Sequence, residues 1–296
     1  MINYYNKTLK KYKNKSIDKI KREVKSEPKQ ISWSEHLYKN ISLNRRSDFD
    51  PQKIVKCLYR PYTITNLYYS KSFNDRQGLT NEFFLKNRRN KYIMVSGIGS
   101  QRGYSVLASD IMPDIQLIQN GQCFGIYSFQ EENFSEGLFK KQNNKEVVKK
   151  EIISSYAKNH FSSYYKNKVS SEQIFDYTYA ILHSKDYFEK FKNNLSKSLP
   201  RIPRVKKYSD FQKFYELGKK LCNLHINYND AKLFKLEINF DEKKKLNSSE
   251  QYYVKKMKFY KNKNGFIDKT KIVYNENIVI ENIPIDSYKY CVFFLN

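Results

Sequence analysis

Hydrophobic and polar positions change their period twice along the chain and divide it into three regions. Between residues 54 and 130, short β-branched and aromatic runs are separated by Gly, Asn, Asp and Pro, which predicts strands. Between 145 and 225, apolar residues recur every three or four positions, which predicts helices. From residue 231, strand-like runs return. Strands and helices are therefore segregated, and the pattern predicts an α+β fold with a strand-rich half, a central helical segment and C-terminal antiparallel strands.

The individual runs set the expected elements. The predicted strands are IVKCLYRPYTI, LYYS, KYIMVSGI, GYSVLAS, DIQLIQ and CFGIYSF before the helices, and LFKLEINF, VKKMKFY, KIVYNENIVIE and YKYCVFF after them. Two capping boxes, Ser170 with Gln173 and Ser209 with Gln212, predict the starts of two helices. The apolar faces that follow are Ile174, Phe175, Thr178, Ile181 and Leu182 in the first helix, and Phe211, Phe214, Tyr215, Gly218, Leu221 and Cys222 in the second.

The N-terminal region is predicted to be a basic arm or linker, residues 1–45, which forms the tail of a missing upstream region. Residues 1–31 are polar and basic and offer little to bury, whereas 31–43 can form a short helix with Trp33 on its apolar face. The remaining residues, 46–296, are expected to form one domain, with a strand-rich part at 46–140, a helical part at 141–230 and C-terminal strands at 231–296.

Composition excludes several classes of protein. The 296 residues include 40% hydrophobic and 16% aromatic side chains, which argues against a disordered polycation. The chain has no apolar run of about 18 residues, so no membrane span is expected. The four cysteines form no CxxC pair, which suits a reducing cytoplasm and a chain without disulfides.

The charge points to a polyanionic partner, but most of it is an ambiguous signal. The chain carries 55 basic against 30 acidic residues, a formal net charge of +25. Most of the basic residues are Lys, and Lys, Asn, Tyr and Ile share AT-rich codons, so genomic base composition competes as an explanation. Arginine is the cleaner signal, and seven of the ten arginines lie between Arg45 and Arg102. Arginine binds phosphates and guanine edges bidentately, which favours nucleic acid.

Catalytic and cofactor motifs are not apparent. The turn Val95–Ser100 is glycine-rich and follows a strand, but a strand-like run follows it, which favours a hairpin over a nucleotide-binding loop. The sequence has no Pro-Pro-aromatic loop of amino-methyltransferases and no phosphate-binding loop of ATPases. Asp241–Lys244 matches the D/E-x-K pattern of nucleases, but a Lys-rich chain matches this pattern easily by chance. Cys222 and His225 lack further metal ligands at a suitable spacing. No catalytic residue, cofactor or metal is therefore predicted.

Three segments together resemble a known family. Tyr59-Arg60-Pro61-Tyr62 with Leu67-Tyr68-Tyr69 is the first, and Phe175–Ser184 continuing to Leu199-Pro200-Arg201-Ile202-Pro203 is the second. Leu217-Gly218, Leu221 and Leu224-His225 form the third. Their order and spacing are similar to the C-terminal specificity domain of Type ISP single-chain restriction-modification enzymes, over about residues 31 to 296. Gly125-Ile126-Tyr127 departs from the family's more usual Pro-Leu-Tyr.

The resemblance implies a target recognition domain at 46–296 that reads duplex DNA through the major groove and places the target base for adenine methylation. The family's nuclease, helicase-like ATPase and methyltransferase domains lie upstream, and their motifs are absent here. The resemblance thus implies a detached, non-catalytic recognition domain. It is either a split subunit that acts with a separate methyltransferase, helicase and nuclease subunit, or the remnant of a truncated gene or pseudogene. Two alternatives stay open: a fragment of an S-adenosylmethionine-dependent DNA methyltransferase using Gly97 to Gly103, and a basic RNA-binding protein.

The candidate DNA contacts are basic and amide side chains in predicted loops. Lys206 and Lys207 are expected to contact phosphates, and whether Arg60 and Arg201 are readers or structural anchors stays open. The full set of predicted contact residues is Arg60, Arg76, Gln77, Arg88, Arg89, Lys91, Gln101, Arg102, Arg201, Arg204, Lys206 and Lys207.

Overall fold

The computed structural model describes residues 1–27, 29–75, 77–78, 80–84, 88–101, 103–134, 144–240, 248–290 and 292. These residues form two compact units, Met1–Ile226 and Asn227–Asn296. Helices and mainly antiparallel strands occur in separate blocks, which confirms the predicted α+β class.

The described residues contain α-helices and short 3-10 helices. The α-helices are α1 Ile2–Tyr12, α2 Ile17–Glu23, α3 Glu35–Ser42, α4 Thr80–Phe83, α5 Ser155–Tyr165, α6 Ser171–Leu182, α7 Lys185–Leu195, α8 Tyr208–Ile226 and α9 Ser248–Gln251. Short 3-10 helices span Pro51–Lys53, Tyr228–Asp230 and Ile285–Lys289.

The strands form small sheets. They are β1 Ile54–Arg60, β2 Thr63–Tyr68, β3 Tyr92–Val95, β4 Val106–Ser109, β5 Met112–Pro113, β6 Gln122–Gly125, β7 Tyr127–Phe134, β8 Asn144–Glu151, β9 Glu237–Phe240, β10 Lys258–Lys261, β11 Ile267–Val273 and β12 Ile278–Glu281. Within the described residues the sheet orders are β2-β1-β5, β4-β3-β6, β7-β8 and β10-β11-β12-β9. Only the β1–β5 pair among these is parallel.

The N-terminal region is folded, and the prediction that residues 1–31 have little to bury is wrong. Three helices, α1, α2 and α3, enclose an aromatic and aliphatic cluster in which Tyr5, Ile20 and Ile41 are fully buried. Trp33 stacks against Tyr5, with ring centroids 6.1 Å apart. Leu37 and Ile41 are buried on α3 as expected. Trp33 is also buried, but it precedes the capping residue Ser34 and so lies before the helix rather than on its face.

The glycine-rich turn is a hairpin connection, as favoured from the sequence. Strand β3 pairs antiparallel with β4, Val95 facing Val106, so no helix follows the glycines. All four residues of β3 are buried. Gly97 is required there because a Cβ atom would lie 2.5 Å from the carbonyl oxygen of Asn120.

Helices α6 and α8 form the main helix pair of the first unit. The predicted capping box at Ser170 and Gln173 is present with both of its hydrogen bonds, at 3.2 and 2.9 Å. On α8, Phe211 and Cys222 are fully buried. Gly218 lies directly against the backbone of α6, because a Cβ at that position would meet the carbonyl oxygen of Asp176.

Some predicted elements differ from the structure. Residues 144–151 form strand β8 rather than helix, because the Val-Val run pairs with β7 in a ladder from Tyr127–Glu151 to Phe134–Asn144. The predicted strand DIQLIQ is a turn that buries Leu117 and Ile118. Helix α8 already begins at Tyr208, so Ser209 is not its cap.

The second unit is built on the four-stranded antiparallel sheet. Strand β12 pairs with β9 and β11, and Ile278 is its buried apolar side chain among the described residues. The predicted final strand YKYCVFF is only partly described, and its first residues belong to the 3-10 helix Ile285–Lys289 instead. The remaining predicted strands of this region are present as β9, β10, β11 and β12.

Candidate nucleic-acid interface

The three sequence segments that resemble a family meet in the interior of the first unit. Tyr62, from the turn after β1, lies edge-on to His225 at the end of α8, with ring centroids 6.0 Å apart. The hydroxyl of Tyr179 on α6 accepts the N–H of Ala108 at 3.0 Å and is hydrogen-bonded to Nδ1 of His225. His183 packs on Tyr179 with ring centroids 4.6 Å apart. The signature is therefore a packing cluster that fixes α6, α8 and the β1–β2 turn together.

Burial disfavours the charged form of the two histidines in this cluster. It lowers the pKa of His183 to about 4, with a further lowering from the nearby His225. The pKa of His225 is also lowered by burial. Nε2 of His183 is buried and makes no hydrogen bond to the described residues. Both rings are therefore neutral at pH 7.

The Pro-Arg-Ile-Pro segment and the two residues after it, 200–205, form a connecting segment that we call the strap. Tyrosine hydroxyls from three helices hold it. Tyr187 donates to the carbonyl of Arg201 at 3.0 Å, Tyr177 to that of Pro203 at 2.6 Å, and Tyr165 to that of Val205 at 2.7 Å. Hydrogen bonds to three alternate carbonyls therefore hold this backbone against the helices. The strap leads directly to the exposed Lys206 and Lys207 before α8.

We expect Tyr177→Phe to lower the free energy of unfolding by about 2 kcal/mol, because it removes the bond to Pro203 and the 3.2 Å bond from the N–H of Val205. Urea unfolding followed by circular dichroism measures this. The matched control is Tyr156→Phe, since Tyr156 is 79% exposed. Equal stability of the two variants would show that the hydroxyl does not hold the strap.

Two of the predicted contact residues are engaged within the protein. The guanidinium of Arg204 lies 3.5 Å from the centroid of the Tyr164 ring and donates to the carbonyl of His160 at 3.0 Å. That of Arg60 lies 4.0 Å from the centroid of the Tyr59 ring and 3.8 Å from the carboxylate of Asp114. These contacts favour anchoring roles over base reading.

Three of the other predicted contacts flank β3. Arg88 and Arg89 are exposed just before this strand, and Gln101 is exposed in the turn after it. Arg201 is exposed on the strap, and Gln77 is half-buried. Arg76 and Arg102 lie outside the described residues. Among the described residues, the predicted contacts therefore lie on several separate segments of the chain.

Lys91 has an internal electrostatic role. Burial raises the pKa of Asp176 to about 6, and the charges of Lys91 and Lys219 oppose that rise. Asp176 is 5% exposed, and its Oδ1 makes no hydrogen bond to the described residues. Lys91 therefore stabilises a buried carboxylate.

One basic surface, on α1, is not among the contacts predicted from the sequence. Lys7 and Lys10 line a cleft there with Arg46, which belongs to the arginine cluster but not to the predicted contacts. The available signal is the helical spacing of polar residues opposite Tyr5, Leu9 and Tyr12.

Neither a metal site nor a membrane-spanning helix occurs among the residues that the structure describes. In the described part of the chain, no three His, Cys, Asp or Glu side chains are placed to hold a metal ion. Cys57, Cys123 and Cys222 are free thiols. None of the helices described above has both the length and the apolar character needed to cross a bilayer.

Comparison with known proteins gives the family. Residues 1–292 match the family model described as the Type ISP C-terminal specificity domain. This match and the α+β fold define the chain as a specificity domain of restriction-modification enzymes. In particular, the chain belongs to the family of Type ISP C-terminal specificity domains. The match begins at residue 1, so the family's domain includes α1 and α2, which the sequence resemblance left out.

Solved structures agree with this assignment. The ATP-dependent Type ISP restriction-modification enzyme LlaBIII bound to DNA is 27% identical over 99% of this chain, with a TM-score of 0.77. A nuclease-deletion mutant of the Type ISP enzyme LlaGI with a DNA substrate mimic is 28% identical over 99% of the chain, with a TM-score of 0.73. The DrdV–DNA complex, 24% identical over 99% with a TM-score of 0.80, shares the fold.

The relatives are much longer than this chain. It spans 17% of the LlaBIII chain, 20% of the LlaGI chain and 27% of the DrdV chain. Among curated proteins, none matches it significantly.

Proposed function

We propose that this chain recognises a specific sequence in duplex DNA as the specificity domain of a bacterial restriction-modification system. The observation that carries the proposal is the match to the specificity-domain family over residues 1–292. Two enzymes of the same type, each solved with DNA or a DNA mimic, contain a counterpart of 99% of the chain. The net charge of +25 supplies the attraction to phosphates that such a role needs.

Base reading is assigned to the exposed arginines before β3. Arg88 and Arg89 are exposed side by side at the end of a segment that leads into a fully buried strand. A guanidinium in such a position can bind the O6 and N7 atoms of guanine bidentately. Lys206 and Lys207 follow a backbone held by three tyrosines and suit phosphate contacts, which set register.

The direct test is selection of binding sites from random duplexes at about 0.15 M salt, where exposed charges interact over about 8 Å. The expected result is enrichment of one short sequence motif. Binding without enrichment of any motif would contradict sequence recognition. Stronger competition by structured RNA than by duplex DNA would instead favour the RNA-binding alternative.

Arg88→Ala or Arg89→Ala should relax one base position of the selected motif, because each removes a bidentate contact. We expect preference for that base to fall by about 5- to 100-fold, with little change at other positions. Lys207→Ala is the matched control, since it should weaken binding to every duplex by the same factor. Relative affinities for single-base variants of the site measure both effects, and a uniform loss in the arginine variants would remove them from base reading.

We further propose that cleavage and methylation are supplied by another polypeptide or by a longer form of this one. The β3–β4 hairpin argues against a cofactor loop at Gly97 to Gly103, because a nucleotide-binding turn leads into a helix. Titration calorimetry with millimolar S-adenosylmethionine should therefore give no binding heat. A saturable heat signal would restore the methyltransferase alternative.

A further inference from the structure

One face of helix α1 forms a basic cleft together with Arg46. Its lining contains three cations and three amides, and a volume of about 520 Å³ is open there. None of the described residues that line it carries a carboxylate. The polar side chains of the lining are Asn3, Asn6, Lys7, Lys10, Gln30 and Arg46.

The apolar face of α1 holds this surface rigidly. Tyr5 and Leu9 are buried in the N-terminal cluster, with Tyr5 fully enclosed. Lys7 and Lys10 lie on the other side of the helix and are exposed. Because the helix cannot rotate without exposing its buried face, the positions of these lysines are fixed relative to the domain.

Arg46 is positioned by bonds on both sides of it. The hydroxyl of Tyr5 donates to the carbonyl of Arg45 at 2.6 Å. The amide of Asn6 donates to the carbonyl of Ser47 at 2.7 Å and accepts its N–H at 3.3 Å. Two adjacent residues of α1 therefore fix the backbone that carries Arg46 into the cleft.

The exposed contact between Arg46 and Asp48 leaves Arg46 able to bind an anion. It joins Nε of the arginine to Oδ1 of the carboxylate at 3.0 Å, with both side chains largely exposed. An exposed pair of this kind stabilises by at most about 1 kcal/mol. The two terminal nitrogens of a guanidinium carry four further N–H donors, which is enough for a phosphate.

We propose that this cleft binds the phosphodiester backbone of duplex DNA, a contact that rests on the proposed function. Asn3 to Lys10 extends over about 10 Å of helix, which covers about three phosphates of one strand along the duplex axis. Lysines, an arginine and amides are the donors that contact phosphates in protein–DNA complexes. The cleft sets the register and strength of binding, while sequence is read elsewhere.

The test compares two triple variants of equal charge change. Lys7→Gln/Lys10→Gln/Arg46→Gln removes the cations of the cleft, and Lys13→Gln/Lys15→Gln/Arg22→Gln removes three exposed cations outside it. Affinity for the selected site and for an unrelated duplex is measured from 0.05 to 0.3 M salt. Circular dichroism and urea unfolding confirm that both variants remain folded.

We expect the cleft variant to weaken binding to both duplexes equally, by about 10- to 100-fold near 0.1 M salt, and to reduce the slope of log affinity against log salt by about 2.7. The control should keep most of that slope. An equal loss in both variants, or none in the cleft variant, overturns the site. Selective displacement of DNA by pyrophosphate, beyond sulfate of the same ionic strength, would assign the cleft to a small anion.

Failure of this proposal is distinguishable from failure of the proposed function. Sequence preference is the ratio of the two affinities in the unaltered protein, and it does not involve the cleft. If that ratio is one, sequence recognition fails even where the cleft variant loses affinity. If the ratio is large and the cleft variant binds normally, only the cleft assignment fails.

Discussion

Gly218→Ala should destabilise the first unit by about 3 kcal/mol or more, because it forces helices α6 and α8 apart. An added Cβ would lie 1.9 Å from the carbonyl oxygen of Asp176, 2.8 Å from its carbonyl carbon and 3.1 Å from the Cβ of Ala180. Two of these atoms belong to the backbone of a helix, so no side-chain rotation relieves the contact. The helices must separate, which opens the packing around the buried Phe211 and Cys222.

Urea unfolding measures the loss, and a neighbouring residue provides the control. Leu217 precedes Gly218 on the same helix and is 60% exposed, so Leu217→Ala should change stability by less than about 0.5 kcal/mol. A Gly218→Ala protein as stable as the control would mean that α6 and α8 are not in the close contact described. The apparent DNA affinity of the variant should fall in proportion to the fraction of the protein that is folded.

The sequence predicts best where signals are local. The capping box at Ser170 and Gln173 is read from two residues three positions apart, and both of its bonds form. The hairpin at Gly97 is likewise a short-range signal. The N-terminal helices were missed because Tyr5, Leu9 and Tyr12 become a core only through residues up to 36 positions away, such as Ile41. Strand β8 was missed because its pairing with β7, rather than its own sequence pattern, determines that it is a strand.

The candidate site was less predictable than the fold. Chemistry alone placed Arg60, Arg88 and Arg204 among the candidates and left open whether Arg60 is an anchor, whereas the structure engages Arg60 and Arg204 with aromatic rings and leaves Arg88 exposed. Sequence spacing does not show whether a guanidinium lies over a ring 40 residues away, as Arg204 does over Tyr164. The family signature includes residues that pack, since its tyrosines Tyr177 and Tyr187 hold the strap.

Protonation of His183 should destabilise the fold as the pH falls. Burial lowers its pKa from 6.5 to about 4, so the unfolded chain binds the proton more tightly than the folded chain does. The contribution of His183 to stability is complete above about pH 6.5 and is lost as the pH falls towards 4. The loss amounts to about 3 kcal/mol across that window.

Asp176 has the opposite dependence over nearly the same window. Burial raises its pKa from 3.8 to about 6, so the folded chain binds this proton more tightly than the unfolded chain does. Its contribution is complete below about pH 3.8 and is lost as the pH rises through 6. The loss is again about 3 kcal/mol, because an ionised carboxylate stays buried with one oxygen unbonded.

Single variants should therefore separate two effects that nearly cancel in the unaltered protein. Relative to that protein, His183→Phe should gain about 3 kcal/mol of stability as the pH falls from 7 to 4, since a ring that cannot be protonated replaces the imidazole. Asp176→Asn should lose about 3 kcal/mol of relative stability over the same range, since it lacks the favourable protonation. Urea unfolding at half-unit pH intervals measures both differences. Curves parallel to that of the unaltered protein would show that neither group is buried as described, whereas divergence in opposite directions identifies His183 and Asp176 as the two titrating groups.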